Sequence, residues 1–188
     1  MYMKIFMDFD DTIVNARKGY CNVYSQLYSG CENYIHPNWE KIDQWDLRYS
    51  CPLATIDIFE HDLFFYDLDF KDDAYTGLKN LCQDFEVIIC TIGTYKNISK
   101  KAKWIKNKLP FIKQSIFINN GHNHMNKSII NMKDSVFVDD VASNLESSNA
   151  IGKICFGEKF VWNKDWEGVR CESWDKLCQY IYLHYGKD

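Results

Sequence analysis

The sequence predicts an α/β fold, a parallel β-sheet covered by helices on both faces, and three observations predict it. Short β-branched runs alternate with longer amphipathic stretches along most of the chain. The runs are apolar throughout instead of alternating with polar residues, as strands buried on both faces are. Carboxylates gather where two of the runs end, and in such sheets the ligand crevice lies at the C-terminal ends of the strands. The 188 residues fit a single α/β domain, 1–188, carrying one small insertion.

The first run, Lys4-Ile5-Phe6-Met7, leads into Asp8-Phe9-Asp10-Asp11-Thr12. Glu86 to Thr91, Ser115 to Ile118, Ser135 to Val138 and Lys153 to Phe156 repeat its character, each too short for a helix. Helices fall between them. Asp72 is expected to cap a helix carrying Leu78 and Leu81. Ile98, Ala102, Ile105 and Leu109 recur at helical spacing, with lysines on the other face and Pro110 as the stop. Ser143 with Glu146 reads as a capping box for a short helix ending near Gly152, and a last helix runs from Trp174 to about Tyr182. Strand, helix, strand in repetition implies right-handed crossovers. Residues from about 16 to 70 break this rhythm. Rich in Tyr, Trp, Asp and Phe and without clean buried strands, they read as a mainly helical cap inserted after the first strand.

Hydrophobic residues make up 46% and aromatics 16%, which excludes a disordered chain. The formal charge of -4 argues against nonspecific binding to a nucleic acid polymer or an anionic membrane. No run is long and apolar enough to span a bilayer, and the chain starts directly on its first strand instead of on a charged-then-apolar leader. The 8 cysteines show no CxxC pair, so reduced thiols in a cytoplasmic protein are expected.

The residues that carry chemistry sit at the ends of the runs. Strand side chains alternate faces, so Asp8 and Asp10 project the same way, and two carboxylates side by side call for a cation between them. Asp11 is read as solvent-facing and structural. Thr91 ends a second buried run, Asp139 and Asp140 end another, and Lys127 stands in a polar loop before it. Lys96 and Lys133 are its rivals. His122-Asn123-His124 invites a nuclease or zinc reading but, beside Gly121 and several Asn, is taken as an exposed turn.

This ordered set resembles the haloacid dehalogenase-like phosphohydrolases over nearly the whole chain. That family's Asp-x-Asp-x-Thr is matched by Asp8, Asp10 and Thr12, its strand-end Ser or Thr by Thr91, its lone Lys by Lys127 and its acidic pair by Asp139-Asp140. The resemblance implies a Rossmann-like sheet and a magnesium-dependent phosphomonoesterase. Asp8 would be the nucleophile that forms an aspartyl-phosphate, and Asp10 the general acid and base. It implies Mg2+ held by the Asp8 carboxylate, the Asp10 carbonyl and the Asp140 carboxylate, with Asp139 behind them or as an alternate ligand. Thr91 and Lys127 would hold the phosphoryl oxygens, helped by backbone N–H groups near Ile92 and Gly93.

Within the superfamily the chain is similar to the 5'(3')-deoxyribonucleotidases. The likeness rests on Leu63-Phe64-Phe65-Tyr66-Asp67-Leu68, on Lys103-Trp104-Ile105, and on Phe160-Val161-Trp162-Asn163 followed by Arg170 and Trp174. The chain departs from that group at Ile92-Gly93, where it commonly has Ser or Thr then Pro, and at Asp11, where it often has Gly. The implied partner is a small nucleotide, with Phe65 chosen to contact the base from among Phe64, Phe65, Trp39 and Trp45. The alternatives are a phosphatase of another small phosphate ester and a non-enzymatic interaction protein of the same fold.

Overall fold

The computed structural model describes residues 3–42, 44–119 and 126–186. Six strands form one sheet: β1 (Lys4–Met7), β2 (Glu86–Gly93), β3 (Gln114–Asn119), β4 (Ser135–Asp139), β5 (Gly152–Phe156) and β6 (Val169–Cys171). All neighbours are parallel, in the Rossmann-like order β3-β2-β1-β4-β5-β6. β1 lies between β2 and β4, with Met7 level with Ile89 on one side and Val138 on the other. The residues that follow these strands therefore emerge side by side.

The continuous apolar runs are explained by two cores, one on each face. Ile5 and Met7 of β1 join one cluster with Leu78 and Leu81 of α3 (Ala74–Asp84), Trp104 and Ile105 of α4 (Tyr95–Lys108), and Leu177 and Ile181 of α6 (Trp174–Tyr185). Phe6 points the other way, into a cluster with Ile88, Cys90, Phe137, Met132 and Leu145, the last from α5 (Ala142–Ser147). Period-two alternation assigns each residue of a strand to one core or the other.

The helix starts differ from expectation. The chain enters α3 through Asp73 at a left-handed φ of 63°, so Asp72 lies before the cap position, and Asp73 makes no side-chain capping bond. α5 starts at Ala142, which puts Ser143 inside its first turn; the free N–H of Val141 is instead taken by the Asp139 carboxylate at 2.8 Å. α5 ends at Ser147, and Gly152 begins β5. β6, three residues long, was not anticipated.

Between β1 and α3 lies the helical insertion: α1 (Ala16–Tyr28), three 3₁₀ turns at Trp39–Lys41, Leu47–Tyr49 and Ile58–Glu60, and the short α2 (Asp62–Tyr66). Its aromatics pack on each other, Tyr20 on Phe59 at 4.9 Å and Phe59 on Phe64 at 5.2 Å. Gly19 lets α1 come close, since a Cβ there would lie 3.2 Å from the Phe64 ring. The insertion leaves and rejoins the core through a two-stranded neck. Asn15 N donates to Asp69 O and Lys71 N to Ile13 O, both at 2.9 Å, around an antiparallel Val14–Phe70 bridge. It is also fastened to the start of α4: Thr94 Oγ1 donates to Glu60 at 2.6 Å and Asn97 Nδ2 to Phe59 O at 2.8 Å.

Candidate active site

β1, β2 and β4 deliver Asp8, Thr91 and Asp139 to one edge of the sheet, all buried, with Asp10 and Asp140 in the loops just beyond. The Asp8 N–H donates to Val138 O at 2.9 Å, which ties the two acidic loops together. Lys127, 1% exposed, reaches in from a 3₁₀ turn, Lys127–Ile129, capped by the Asn126 side chain. Its ammonium bonds the Asp8 carboxylate and donates to Asp139 Oδ2 at 2.6 Å. Asp139 is fully engaged, because Asn144 Nδ2 also reaches both of its oxygens at 3.1 Å.

Asp140 is held by the C-terminal segment. Trp162 Nε1 donates to its carboxylate at 3.0 Å, and Asn163 Nδ2 to its carbonyl at 2.8 Å. Arg170 in turn fixes Asn163, donating to its carbonyl at 2.6 Å and its side-chain oxygen at 3.2 Å. Trp174 Nε1 donates to Thr12 O at 2.9 Å. The aromatic, Asn, Arg and Trp of the tail are thus the frame of the acidic loops.

Two residues depart from the sequence reading. Lys101 belongs to the lysine-rich helix α4, whose lysines were all placed on a solvent face, yet it is 2% exposed. Its ammonium bonds the Asp10 carboxylate, Thr91 Oγ1 at 2.9 Å and Ile92 O at 3.0 Å. The signal lay in Trp104. The buried face of α4 runs Asn97, Lys101, Trp104, Ile105, one residue round from the stripe chosen. Asp11 is not solvent-facing: it sits at a left-handed φ of 53°, and Arg17 Nε donates to its carboxylate at 2.9 Å.

Among the described residues, four carboxylates, Asp8, Asp10, Asp139 and Asp140, face two ammonium groups here, so ionising all four would leave two negative charges uncompensated. Burial pushes the Asp8 carboxyl up to about 7 against the pull of Lys127, with Asp139 and Asp10 adding to the rise. Burial likewise holds Asp140 well above the ordinary carboxylate range, reinforced by Asp8 and Asp139. Burial would strip the Lys127 proton, but Asp139 and Asp8 outweigh it and raise the ammonium above its ordinary value. Oxygens of Asp8, Asp139 and Asp140 all lie within 4.8 Å of one another. An all-oxygen donor set with that charge is compatible with a hard divalent cation. Asp10 Oδ1 and Thr12 Oγ1 are buried and find no hydrogen-bond partner among the described residues.

Of the four aromatics considered for base contact, Phe64 is fully buried and Phe65 is half-buried edge-on to it at 5.0 Å, both in the packing of the insertion. Trp39 is half-buried against the main core. Trp45 is 66% exposed and stands edge-on to Trp162, the residue that holds Asp140, at 5.7 Å. His122, Asn123 and His124 lie outside the described residues. Among the described residues no helix is long and apolar enough to cross a membrane.

The fold recurs in solved structures. A haloacid dehalogenase-like family hydrolase from Streptococcus pneumoniae superposes with a TM-score of 0.62 at 15% identity, covering 96% of this chain and 98% of its own. A HAD-superfamily hydrolase of subfamily IA from Geobacter sulfurreducens does so with 0.61 at 11% identity, covering 96% of each. Sheet order, insertion point and acidic cluster together define a HAD-superfamily hydrolase of the phosphatase type. In sequence, a 5'(3')-deoxyribonucleotidase of Clostridium acetobutylicum is 28% identical over 182 residues, 89% of this chain and 93% of that protein. Residues 2–185 match the model of the family described as 5' nucleotidase, deoxy (pyrimidine), cytosolic type C, and the chain belongs to that family.

Proposed function

We propose that the protein is a magnesium-dependent phosphomonoesterase that releases phosphate from nucleoside monophosphates, deoxyribonucleotides foremost, through an aspartyl-phosphate. The observation that carries this reading is the excess of carboxylates over ammonium groups, four to two among the described residues, around a buried Asp8. An acidic pocket of that kind repels a phosphate until a cation joins it. The Asp8 carboxylate, the Asp10 carbonyl and the Asp140 carboxylate would hold Mg2+, which neutralises charge on the phosphoryl oxygens when bound.

Asp8 attacks phosphorus in line, forming a P–O bond to its carboxylate as the bond to the ester oxygen breaks. Asp10 gives its proton to that leaving oxygen. It then takes one from the water that attacks the phospho-aspartate, and the P–O bond to Asp8 breaks to free phosphate. Lys127 eases the ionisation of Asp8 that burial opposes, and Thr91, whose hydroxyl oxygen accepts from Lys101, can donate its own proton to a phosphoryl oxygen.

The nucleotide preference is supported by family membership and by the name of the Clostridium relative. Trp45, exposed beside the residue that grips Asp140, suits base contact better than Phe65, whose ring is committed to Phe64. The test compares kcat/KM for deoxyribo- and ribonucleoside monophosphates with that for a sugar phosphate, each in Mg2+ and in chelator. Activity that survives chelation defeats the mechanism. A sugar phosphate that outperforms both nucleotides defeats the nucleotidase reading and leaves the phosphatase.

A further inference from the structure

Arg17 opens the first turn of α1 and is 6% exposed, far from ordinary for an arginine. Its Nη1 is buried and, among the described residues, has no hydrogen-bond partner, a cost that calls for something in return. Three contacts hold the guanidinium, one of them with the Trp162 ring, 5.3 Å from guanidinium carbon to centroid. Arg17 Nε donates to Asp11 Oδ2 at 2.9 Å, with the Arg17 backbone N–H on Oδ1 at 3.4 Å. Its plane lies on the Phe160 ring, 3.8 Å from guanidinium carbon to centroid. Phe160 stacks on Trp162 at 4.9 Å and 13°, and Trp162 Nε1 donates to Asp140. A continuous file of contacts thus runs Asp11, Arg17, Phe160, Trp162, Asp140. It joins the loop after β1 to the loop after β4 without touching the sheet between them.

Both ends of the file abut proposed cation ligands. Asp11 follows Asp10 directly, and its left-handed φ of 53° sets the peptide group that includes the Asp10 carbonyl. Glycine adopts that conformation without strain, whereas here an aspartate does so with its side chain clamped. Trp162 orients the Asp140 carboxylate itself. We propose that Arg17 is a positioning residue for the divalent-cation site, setting the distance between the Asp10 carbonyl and the Asp140 carboxylate through Asp11 on one side and Phe160 and Trp162 on the other. The inference rests on the proposed reading of which residues hold the cation. Groups that orient metal ligands without touching the metal commonly change affinity by about 10–100-fold when removed.

The experiment is direct Mn2+ binding, followed by electron paramagnetic resonance of free and bound metal, with a thermal melt of each protein. The proteins are wild type, Arg17→Ala, Asp11→Gly, Phe160→Leu and the Arg17→Ala/Phe160→Leu double variant. Arg17→Ala should bind Mn2+ about tenfold more weakly or worse. Phe160→Leu should move the same way but less, since Arg17 also touches Trp162 directly, and the double variant should be no weaker than Arg17→Ala alone, because loss of Arg17 already interrupts the file. Asp11→Gly relieves the backbone but strands the buried Arg17 guanidinium, so it should lower the melting temperature and lose Mn2+ affinity together. That variant decides the matter if Arg17→Ala does not fold. An Arg17 that merely holds the insertion in place would lower the melting temperature and leave Mn2+ affinity at the wild-type value, as would Asp11→Gly; either result overturns the inference. Wild-type protein that binds no Mn2+ overturns the cation site on which it rests.

Discussion

Replacing Lys101 by methionine keeps an unbranched stem of similar length and removes only the ammonium. Three hydrogen bonds go with it: to the Asp10 carboxylate, to Thr91 Oγ1 at 2.9 Å and to Ile92 O at 3.0 Å. The Asp10 side chain is 33% exposed, so its carboxylate regains water, whereas Thr91 is fully buried. The fold should therefore lose about 1–3 kcal/mol, the cost of unpaired neutral groups. Breaking a fully buried ion pair costs more, about 3–5 kcal/mol. At about 2–4 °C per kcal/mol for a chain of this size, the melting temperature should fall by roughly 2–12 °C, leaving a folded protein to assay. Turnover should suffer more. Lys101 fixes the Asp10 acid and the Thr91 hydroxyl, and losing a group that stabilises charge developing in the transition state costs about 10²–10³ in kcat, or about 2.7–4 kcal/mol. The assay is kcat and KM on a deoxyribonucleoside monophosphate at saturating Mg2+, at a temperature well below the melt. A kcat within about threefold of wild type would refute the role given to Lys101, since groups that stabilise such charge are not that dispensable. Lys127→Met would be a poorer probe. It strands Asp8 and Asp139, both buried, and its defect would be mainly one of folding.

Three further outcomes are expected. Asp8→Asn should abolish turnover while Asp10→Asn slows both formation and hydrolysis of the intermediate, measured as burst and steady-state rates; an Asp8→Asn enzyme of near-normal rate would show the nucleophile misplaced. In chelator, the folded protein keeps a proton on Asp8 up to about 7 that the unfolded chain releases in the ordinary carboxylate range. The stabilisation this gives is fully present below that range and is lost as pH rises through about 7, with Asp140 acting in the same direction. Melting temperature in chelator should accordingly be lower at pH 8 than at pH 5, and Mg2+ should restore it at pH 8; a rise between those pH values in chelator would contradict the buried-acid picture. Finally, Trp45→Ala should lower kcat/KM for nucleotides and spare a sugar phosphate, whereas Phe65→Ala should act on both through packing; a Trp45→Ala enzyme with unchanged nucleotide kinetics would return the base contact to Phe65.

The parts of this molecule legible in its sequence are those where one physical demand leaves one solution. A run such as Val136-Phe137-Val138 can be satisfied only between two helical layers, and it became β4, buried throughout. Asp8, Thr91 and Asp139-Asp140 were recognisable because each ends such a run, and the parallel register brings those ends together. Lys127 stood out as a cation in a polar stretch. Where several residues could answer the same demand, the sequence does not single one out. α4 offers lysines at nearly every helical phase, so only the choice of stripe separates buried Lys101 from exposed Lys103 and Lys106, and Trp104 marks the buried side. Asp72 and Asp73 are equally good caps on paper, but the left-handed turn at Asp73 lets neither follow the rule. Val169 to Cys171 is too short to show a period. Asp11 has its partner six residues on, across a turn that no pattern in the sequence announces.

The neck formed by residues 13–15 and 69–71 has a consequence for how this protein can change. Because Ile13 and Lys71 are hydrogen-bonded neighbours, the core needs only a hairpin's width to close over whatever lies between them. The entropy of closing that loop grows slowly with its length, by about 0.6 kcal/mol per doubling. A side unit joined in this way can be lengthened, shortened or traded for another without re-threading the sheet. The aspartates stay with the core, while Trp45 and Phe65 travel with the detachable part. On the proposed reading of the site, what the enzyme accepts and how it reacts would then fall to separable stretches of one chain.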